Sequence, residues 1–194
     1  MKNRVVTISR EFGSGGRTVG RELARRLGVP CYDQELIEKI AQQSGFTPEY
    51  IREKGEYASY GSWFANAFSD RTGQGLSTQD YLWTVQRQVI LDLARKGPCV
   101  IVGRCADYIL SDQADCLKVF IHASMDNRAQ RIVRLYGETD EQPIKRLKDK
   151  DRRRAAYYKF YTGGEWGDVR SCHMALDSGA LGIEKCVELI AQAF

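Results

Sequence analysis

Short apolar runs alternate along the chain with longer segments in which apolar residues recur every three or four positions. Such runs have the length and composition of strands that are buried on both faces of a sheet. Five runs fit this description and span residues 4–9, 29–32, 99–103, 116–121 and 172–176. Strands that alternate with helices form a parallel sheet, and right-handed crossovers place helices on both of its faces. The pattern therefore predicts an α/β fold with a doubly wound, five-stranded parallel sheet.

Helical periodicity is clearest after the first strand, where Val19, Leu23 and Leu27 form one apolar face. A long helix is also predicted between Ser77, as its N-terminal cap, and Gly97, which precedes a proline. Other helices are predicted at residues 33–44, 125–136 and 139–161. A further helix is predicted to start near residue 47, and a closing helix passes through 183–190. Residues 46–76 are otherwise polar, aromatic and interrupted by glycines, and they predict mobile helical turns and loops.

Composition narrows the class of protein. With 43% hydrophobic and 28% charged residues, the chain has the profile of a soluble globular domain. Its net charge of +4 is too small to indicate nucleic-acid binding by itself. It contains neither an apolar run of membrane-spanning length nor a signal-like N-terminus, so we expect a cytoplasmic protein without membrane association. The six cysteines form no CxxC pair and fall largely in apolar runs, which predicts reduced core thiols.

The strongest chemical signal is the segment 9–18 (SREFGSGGRT), which joins the first strand to the first helix. Glycines at such a junction let consecutive backbone N–H groups curl around a phosphate, and the helix N-terminus adds a partial positive charge. In a parallel sheet, ligands bind beyond the carboxyl ends of the strands, and the segment lies at such an end. We therefore expect a phosphate on the loop formed by Gly13, Ser14, Gly15, Gly16, Arg17 and Thr18.

This loop, and several later segments in the same order, resemble the cytidylate kinases, in particular the cytidylate kinase-like branch of the P-loop nucleoside monophosphate kinases. The resembling segments are residues 8–18, 102–104, 117–131, 151–154 and 176–184, so the likeness covers essentially the whole chain. It implies one kinase domain with a core at 1–45, 97–136 and 164–194. It also implies an acceptor-binding insertion at 46–96 and a lid at 137–163.

The resemblance implies transfer of the γ-phosphate of ATP, with Mg²⁺, to a nucleoside monophosphate, CMP or dCMP first. Loops of this kind usually carry a lysine and then a hydroxyl residue that binds the metal. Here the lysine position holds either Gly16 or Arg17, and we predict that Arg17, the cation within the loop, takes the lysine's role. Thr18, or less favourably Ser14, is the candidate metal-binding hydroxyl.

A second departure lies on the third strand, where the family's aspartate before Gly-Arg is replaced by Val102. Asp107 and Asp33 are the candidate carboxylates that could replace it. Asp33 also stands where it could contact the acceptor or cap the following helix. These departures place the catalytic rate in question more than phosphate binding or the fold.

Further candidate residues follow from the resembling segments. Arg104 is expected to contact the acceptor monophosphate, with a surface salt bridge as the alternative. Arg128 and Arg131 share a helix face, and one of them is implied to bind the acceptor or the transferred phosphate, unless that face is simply solvated. In the lid, Asp151 and Arg154 are implied to contact the base and phosphate of the acceptor.

The basic run at 145–154 and the aromatic residues after it leave two other functions open. The run is either a lid that closes over phosphates or a solvated helix, and the aromatics either pack the lid or form a stacking surface for RNA. The altered loop is also compatible with a nucleotide sensor or regulator that turns over little substrate. We expect a kinase without nucleic-acid partners; the oligomeric state and the acceptor base stay open.

Overall fold

The computed structural model of the chain describes residues 4–54, 78–112, 115–137, 139 and 141–194. Its strands are β1 (Arg4–Arg10), β2 (Cys31–Tyr32), β3 (Cys99–Val102), β4 (Asp115–His122) and β5 (Met174–Asp177). Its helices are α1 (Gly16–Leu27), α2 (Gln34–Ser44), α3 (Pro48–Lys54), α4 (Thr78–Lys96), α5 (Ala106–Ile109), α6 (Met125–Tyr136), α7 (Pro143–Thr162), α8 (Ser178–Leu181) and α9 (Ile183–Ala193), with a 3₁₀ turn at Val169–Ser171.

The strands pair in the order β2-β3-β1-β4-β5, and every pair is parallel. Strand β1 lies in the middle, with Val5 in register with Cys99 of β3 on one side and with Cys116 of β4 on the other. The predicted fold class is thus confirmed: a five-stranded parallel sheet with helices on both faces. Because β1 is central, the loop that leaves its carboxyl end emerges at the middle of the sheet edge where ligands bind.

Alternation along β1 explains how one strand supports two hydrophobic layers. Val5 faces a cluster built mainly from α2, α4 and α5, whereas Val6 and Ile8 face a cluster built from α1 and α9. All three side chains are fully buried. Thr7, on the same face as Val5, is also buried and pairs its hydroxyl with the thiol of Cys116 at 3.6 Å. A central strand covered on both faces needs this apolar run in place of a polar–apolar alternation.

Several element boundaries differ from those predicted. Helix α7 begins at Pro143 and not near residue 139, because a proline is favoured in the first turn of a helix, where no backbone N–H is required. Strand β5 is shifted to 174–177, and β2 is reduced to two residues. Of the predicted insertion at 46–96, the structure describes α3 and α4; the remaining segment, 55–77, lies outside the described residues.

Aromatic side chains attach α7 to the rest of the domain. Tyr157 and Tyr158 are buried and cluster with the partly buried Trp83, Tyr161 and Trp166. The ring of Trp83 on α4 stacks on that of Tyr161 at 4.4 Å between centroids. The tyrosines at 157, 158 and 161, together with Trp166, thus pack α7 against the rest of the domain, whereas the assignment of this segment as a lid stays a prediction. Phe160 remains 47% exposed, and these contacts leave little of the proposed RNA-stacking surface.

Within the described part of the chain, we find no helix with the length and apolar character needed to cross a membrane.

The contact between α1 and β3 yields a stability prediction. A Cβ atom at Gly20 would lie 2.8 Å from Cγ2 of Val102, a buried β-branched side chain that cannot move aside. Gly20→Ala should therefore destabilise the fold by about 1–3 kcal/mol through overpacking, although alanine is the better helix former. Adding Val102→Ala should recover part of that loss, so the two changes should be non-additive in urea denaturation. Strict additivity would show that the helix does not press on β3 at this point.

Candidate functional site

The glycine-rich loop occupies the short connection between the end of β1 at Arg10 and the start of α1 at Gly16. Gly13 and Gly15 have φ angles of +81° and +86°, a left-handed conformation that residues with a Cβ adopt at a cost. A Cβ at Gly15 would also lie 2.6 Å from Cδ1 of Ile183. Conformation and packing together require glycine at position 15, and they turn the chain sharply into the helix.

The first turn of α1 is arranged to receive an anion. In this turn, the N–H of Val19 donates a hydrogen bond to the carbonyl of Gly15 at 3.0 Å. The N–H groups of Gly16, Arg17 and Thr18 precede it, and N–H groups in a helix's first turn lack carbonyl partners within the helix. The turn carries no acidic residue, and Gly15, its N-cap, has no side chain that could accept these N–H groups. Backbone donors and the helix dipole therefore favour a phosphate here.

A buried hydroxyl network holds the loop in shape. The hydroxyl of Ser14, which is 2% exposed, lies 3.0 Å from the carbonyl oxygens of both Glu11 and Ile121. The hydroxyl of Ser178, at the start of α8, lies within hydrogen-bond distance of the carbonyls of Ser14 and His122. The Ser14 hydroxyl is thus committed to the protein interior. Of the two hydroxyls predicted for metal binding, that of Thr18 belongs to the lining of the arginine-rich cavity, which is called the cleft below.

Two cavities flank the loop. One, of about 390 Å³, contains five arginines and two carboxylates among its lining residues: Arg10, Arg17, Arg21, Arg131, Arg154, Glu11 and Asp33. The other, of about 350 Å³, lies between the loop, α6 and the start of α8 and includes Asn127, Gln130 and Gly179. Gly13 and Arg131 line both cavities. The loop therefore lies between two cavities that share part of their lining.

Arg131 reaches from α6 to the loop. Its Nη2 donates a hydrogen bond to the hydroxyl of Thr18 at 3.0 Å, and its guanidinium carbon would be 3.2 Å from a Cβ at Gly15. Partial burial, and then the neighbouring charge of Arg134, lower the pKa of Arg131 from its ordinary value. An arginine still keeps its proton in proteins, so Arg131 places a positive charge beside the loop.

The spacing of Arg128 and Arg131 predicts that they share a helix face. Arg128, one turn earlier on α6, nevertheless lies in a different environment. It is 4% exposed, so the alternative of a solvated helix face is wrong for this residue. Its guanidinium donates to the carbonyls of Ala123 and Phe12 at 3.1 and 3.2 Å, and it pairs with Glu11 and Asp151. These contacts make Arg128 a brace beneath the loop, and they direct it away from the open cleft.

The same brace includes helix α7, which lies in the segment predicted to be a lid. One oxygen of Asp151 accepts the backbone N–H of Phe12 at 2.7 Å, and the other pairs with Arg128. Arg154, which is 6% exposed, donates to the carbonyl of Arg10 at 3.2 Å and lies over the ring of Phe12 at 5.7 Å. The basic run at 145–154 therefore contains both buried and exposed arginines. Arg154 is buried against the loop, whereas Arg152 and its neighbour Arg153 are exposed and pair with Asp149.

On the opposite side of the cleft, Nε of Arg17 lies 3.1 Å from the carboxylate of Asp33. Asp33 is the N-cap of α2, but its side chain makes no capping hydrogen bond, so the capping alternative does not describe it. Arg104 is 4% exposed, which rules out a surface salt bridge. It donates to Gln86 on α4 at 3.1 Å and to the carbonyl of Ile51 on α3 at 3.3 Å. Arg104 thus holds the two described helices of the insertion together.

Asp107, one of the two candidate replacement carboxylates, lies apart from the loop. Its Oδ2 accepts a hydrogen bond from Tyr158 of α7 at 2.9 Å, and burial raises the pKa of its carboxyl. The nearby side chain of Ser9 acts in the opposite direction and favours the charged carboxylate of Asp107. Among the described residues, however, no donor reaches Oδ1 of Asp107 with hydrogen-bond geometry. Asp107 therefore ties α5 to α7, and of the two candidates Asp33 is the one that lines the cleft.

Sequence reasoning missed two residues of the loop segment, Arg10 and Glu11. Both lie within the motif at 9–18, but neither resembles a glycine, hydroxyl or lysine position of such loops. The carboxylate of Glu11 accepts the N–H of Ala123 at 3.1 Å and pairs with Arg128. Arg10 is 5% exposed and lines the cleft. The sequence signal that could have identified them is a pair of charged residues at the end of a buried strand. Charges at the carboxyl-terminal edge of a parallel sheet lie on the side where ligands bind.

Comparison with known proteins places the chain among nucleotide kinases. A family model described as the cytidylate kinase-like family matches residues 5–180. A cytidylate kinase of Methanothrix thermoacetophila is 27% identical over 176 residues, covering 90% of this chain and 88% of that protein. A structure of an uncharacterized protein from Eubacterium ventriosum has a TM-score of 0.74 at 26% identity and covers 97% of this chain and 96% of that one. Shikimate kinase from Bacteroides thetaiotaomicron, with a TM-score of 0.56 at 16% identity, covers 100% of this chain and 98% of that one and shares the fold.

The contacts of Asp151 give a prediction for helix α7, which lies in the predicted lid. Asp151→Asn keeps the shape of the side chain but removes the charge that pairs with Arg128, and breaking a buried pair costs more than losing an exposed one. Hydrogen exchange along α7 and the loop at 11–18 should become faster together. Asp149→Asn is the matched control, because Asp149 lies on the same helix but pairs with exposed arginines. Equal exchange rates in the two variants would contradict a lid that is fastened through Asp151.

Proposed function

The chain belongs to the cytidylate kinase-like family, and on that premise we propose that it transfers the γ-phosphate of ATP to a nucleoside monophosphate, CMP or dCMP first. The observation that carries the proposal is the glycine loop at 13–18, whose helix N-terminus opens into a cleft with five arginines among its lining residues. Phosphoryl transfer needs little covalent chemistry from a protein. Positioning and neutralisation of the charge on the phosphates supply most of the catalysis.

The two cavities suggest how the substrates are arranged. A donor whose phosphates lie on the loop can extend its nucleoside into the cavity beside Asn127 and Gly179. The acceptor phosphate then approaches through the other cavity, which includes Arg17 and Asp33. Gly13 and Arg131, which line both, mark the point where the transferred group would pass between them. In this arrangement, residues 46–96 form the acceptor side and residues 137–163 form the lid, as the resemblance implies.

The arginines then have distinct tasks. Arg131 and Arg154 line the cleft and are proposed to contact phosphate oxygens. Arg128 and Asp151 are proposed to act as positioning residues, since their contacts are with the loop and with each other. Arg104 is proposed to set the angle of α3 and α4 and, through them, the place of the acceptor. Closure of the lid would keep water from the transferred group and so limit hydrolysis of ATP.

Magnesium enters such reactions with the nucleotide, held mainly by phosphate oxygens, water and one or two protein ligands. The residues that fit this sparse set are the hydroxyl of Thr18 and the carboxylate of Asp33, which line the same cleft. When bound, the ion would neutralise charge on the phosphates. Each of the two oxygen groups is now held by an arginine, Arg131 for Thr18 and Arg17 for Asp33, so both side chains are already oriented in the cleft.

The second candidate function is a nucleotide-binding sensor with little turnover. The observation that favours it is Val102, which is 2% exposed and belongs to the core between α1 and β3, where the family has an aspartate. Strand β3 therefore supplies no carboxylate to the cleft at that position. A sensor and a kinase would both bind ATP on the loop, so turnover is what separates them.

A coupled-enzyme screen of all nucleoside monophosphates with ATP and Mg²⁺ separates these functions. We expect the highest kcat/KM with CMP or dCMP. Thr18→Val retains the shape of the side chain but removes the hydroxyl, and it should lower the rate by roughly tenfold to a hundredfold, the range for disturbed metal positioning. This variant also controls for contaminating kinases. Tight ATP binding without transfer to any monophosphate would favour the sensor and refute the kinase.

A further inference from the structure

The start of α1 leaves no room for a side chain at Gly16, one of the two positions that could correspond to the lysine of the family's loop. A Cβ at Gly16 would lie 2.5 Å from Cβ of Arg10 and 2.8 Å from its Cγ. These are the stem atoms of Arg10, fixed to the end of β1, so they cannot swing away as the tip of a side chain could. A lysine cannot begin at position 16, because the space it would enter is already filled by Arg10.

Arg10 occupies a position from which it can reach the transferred group. It is the last residue of β1 and 5% exposed. It lines the 390 Å³ cleft together with Thr18 and Arg131. It also lines a small cavity of about 10 Å³ that includes Gly103 and Arg104, at the neighbouring end of β3. Arg10 is thus beside the phosphate loop and beside the residues that hold the insertion.

Arg17, the sequence-predicted substitute for lysine, is placed differently. Its side chain is 50% exposed and its Nε lies 3.1 Å from Asp33 on the far side of the cleft. The charge of this half-exposed guanidinium is screened both by water and by the carboxylate beside it, which reduces what it can offer to a phosphate. Arg17 is therefore better placed for the acceptor than for the transferred phosphoryl group.

We propose that Arg10 supplies to the transferred phosphoryl group the positive charge that a lysine supplies in other loops of this type. The inference rests on the proposed kinase function. In the reaction, the bond between the γ-phosphorus and the β–γ bridging oxygen breaks, and a bond to an acceptor phosphate oxygen forms. Arg10 gives up no proton; its guanidinium stabilises the charge that gathers on the phosphoryl oxygens.

The test compares Arg10→Met with Arg17→Met. Methionine keeps an apolar stem of similar reach and removes the charge, so the contact with Gly16 is preserved. Arg10→Met should lower kcat by roughly a hundredfold to a thousandfold, the range for losing a transition-state contact. Arg17→Met should mainly raise the KM of the acceptor. Calorimetry with ATP and with ADP gives an independent readout: Arg10→Met should reduce the preference for ATP over ADP, whereas a purely structural role would weaken both equally.

The outcomes separate the two proposals. If Arg10→Met is folded and keeps its kcat and its ATP preference while Arg17→Met loses them, Arg10 does not have this role. If the natural protein phosphorylates no monophosphate, the kinase function fails, and the ATP-to-ADP comparison still tests Arg10. If Arg10→Met does not fold, Arg10→Lys and Arg17→Lys replace the pair. Arg10→Lys should then lower kcat by roughly tenfold, because the fork geometry is lost while the charge remains, and unchanged values there would overturn the proposal.

Discussion

The packing around Gly15 and Gly16 is the constraint on which the rest of the site depends. Ile183 closes the space on one side of the turn and the stem of Arg10 closes it on the other. Because a side chain has no room at these two positions, helix α1 must begin with glycine, close to the end of the central strand. Its N–H groups then face the cleft, and a left-handed φ at Gly15 provides the sharp entry. The exposed N–H groups at the start of α1, on which the proposed phosphate site depends, are in this sense a consequence of close packing.

Charge is the second determinant of the site, and burial decides what each charge does. Arg128 is enclosed by Glu11, Asp151 and backbone carbonyls, so its charge joins the loop to helix α7. A buried network of this kind contributes little net stability beyond a hydrophobic equivalent, but it fixes one geometry because every broken contact is costly. Five arginines line the cleft, and in the proposed reaction a bound phosphate would reduce their mutual repulsion. Under that proposal, ligand binding and closure of the predicted lid are expected to favour one another.

The sequence was sufficient for the architecture because periodicity reports burial directly. The apolar run of β1, the glycines after it and the periodic positions of α1 identify strand, loop and helix without tertiary information. The site could be predicted only as far as local geometry reaches. Spacing shows that Arg128 and Arg131 share a helix face, but it cannot show that one is buried under the loop and the other lies beside Thr18. The contact from Asp151 to the N–H of Phe12 spans 139 residues, and the position of Arg10 follows from a packing contact with Gly16.

The loop at 13–18 is proposed as the phosphate site, and a crystal structure grown with inorganic phosphate or sulfate tests this most directly. We predict a tetrahedral anion within hydrogen-bond distance of the N–H groups of Gly16, Arg17 and Thr18, with the guanidinium of Arg131 beside it. Calorimetry on the same protein should show that ATP competes with that anion. An empty loop, together with no measurable binding of ATP, would contradict the account.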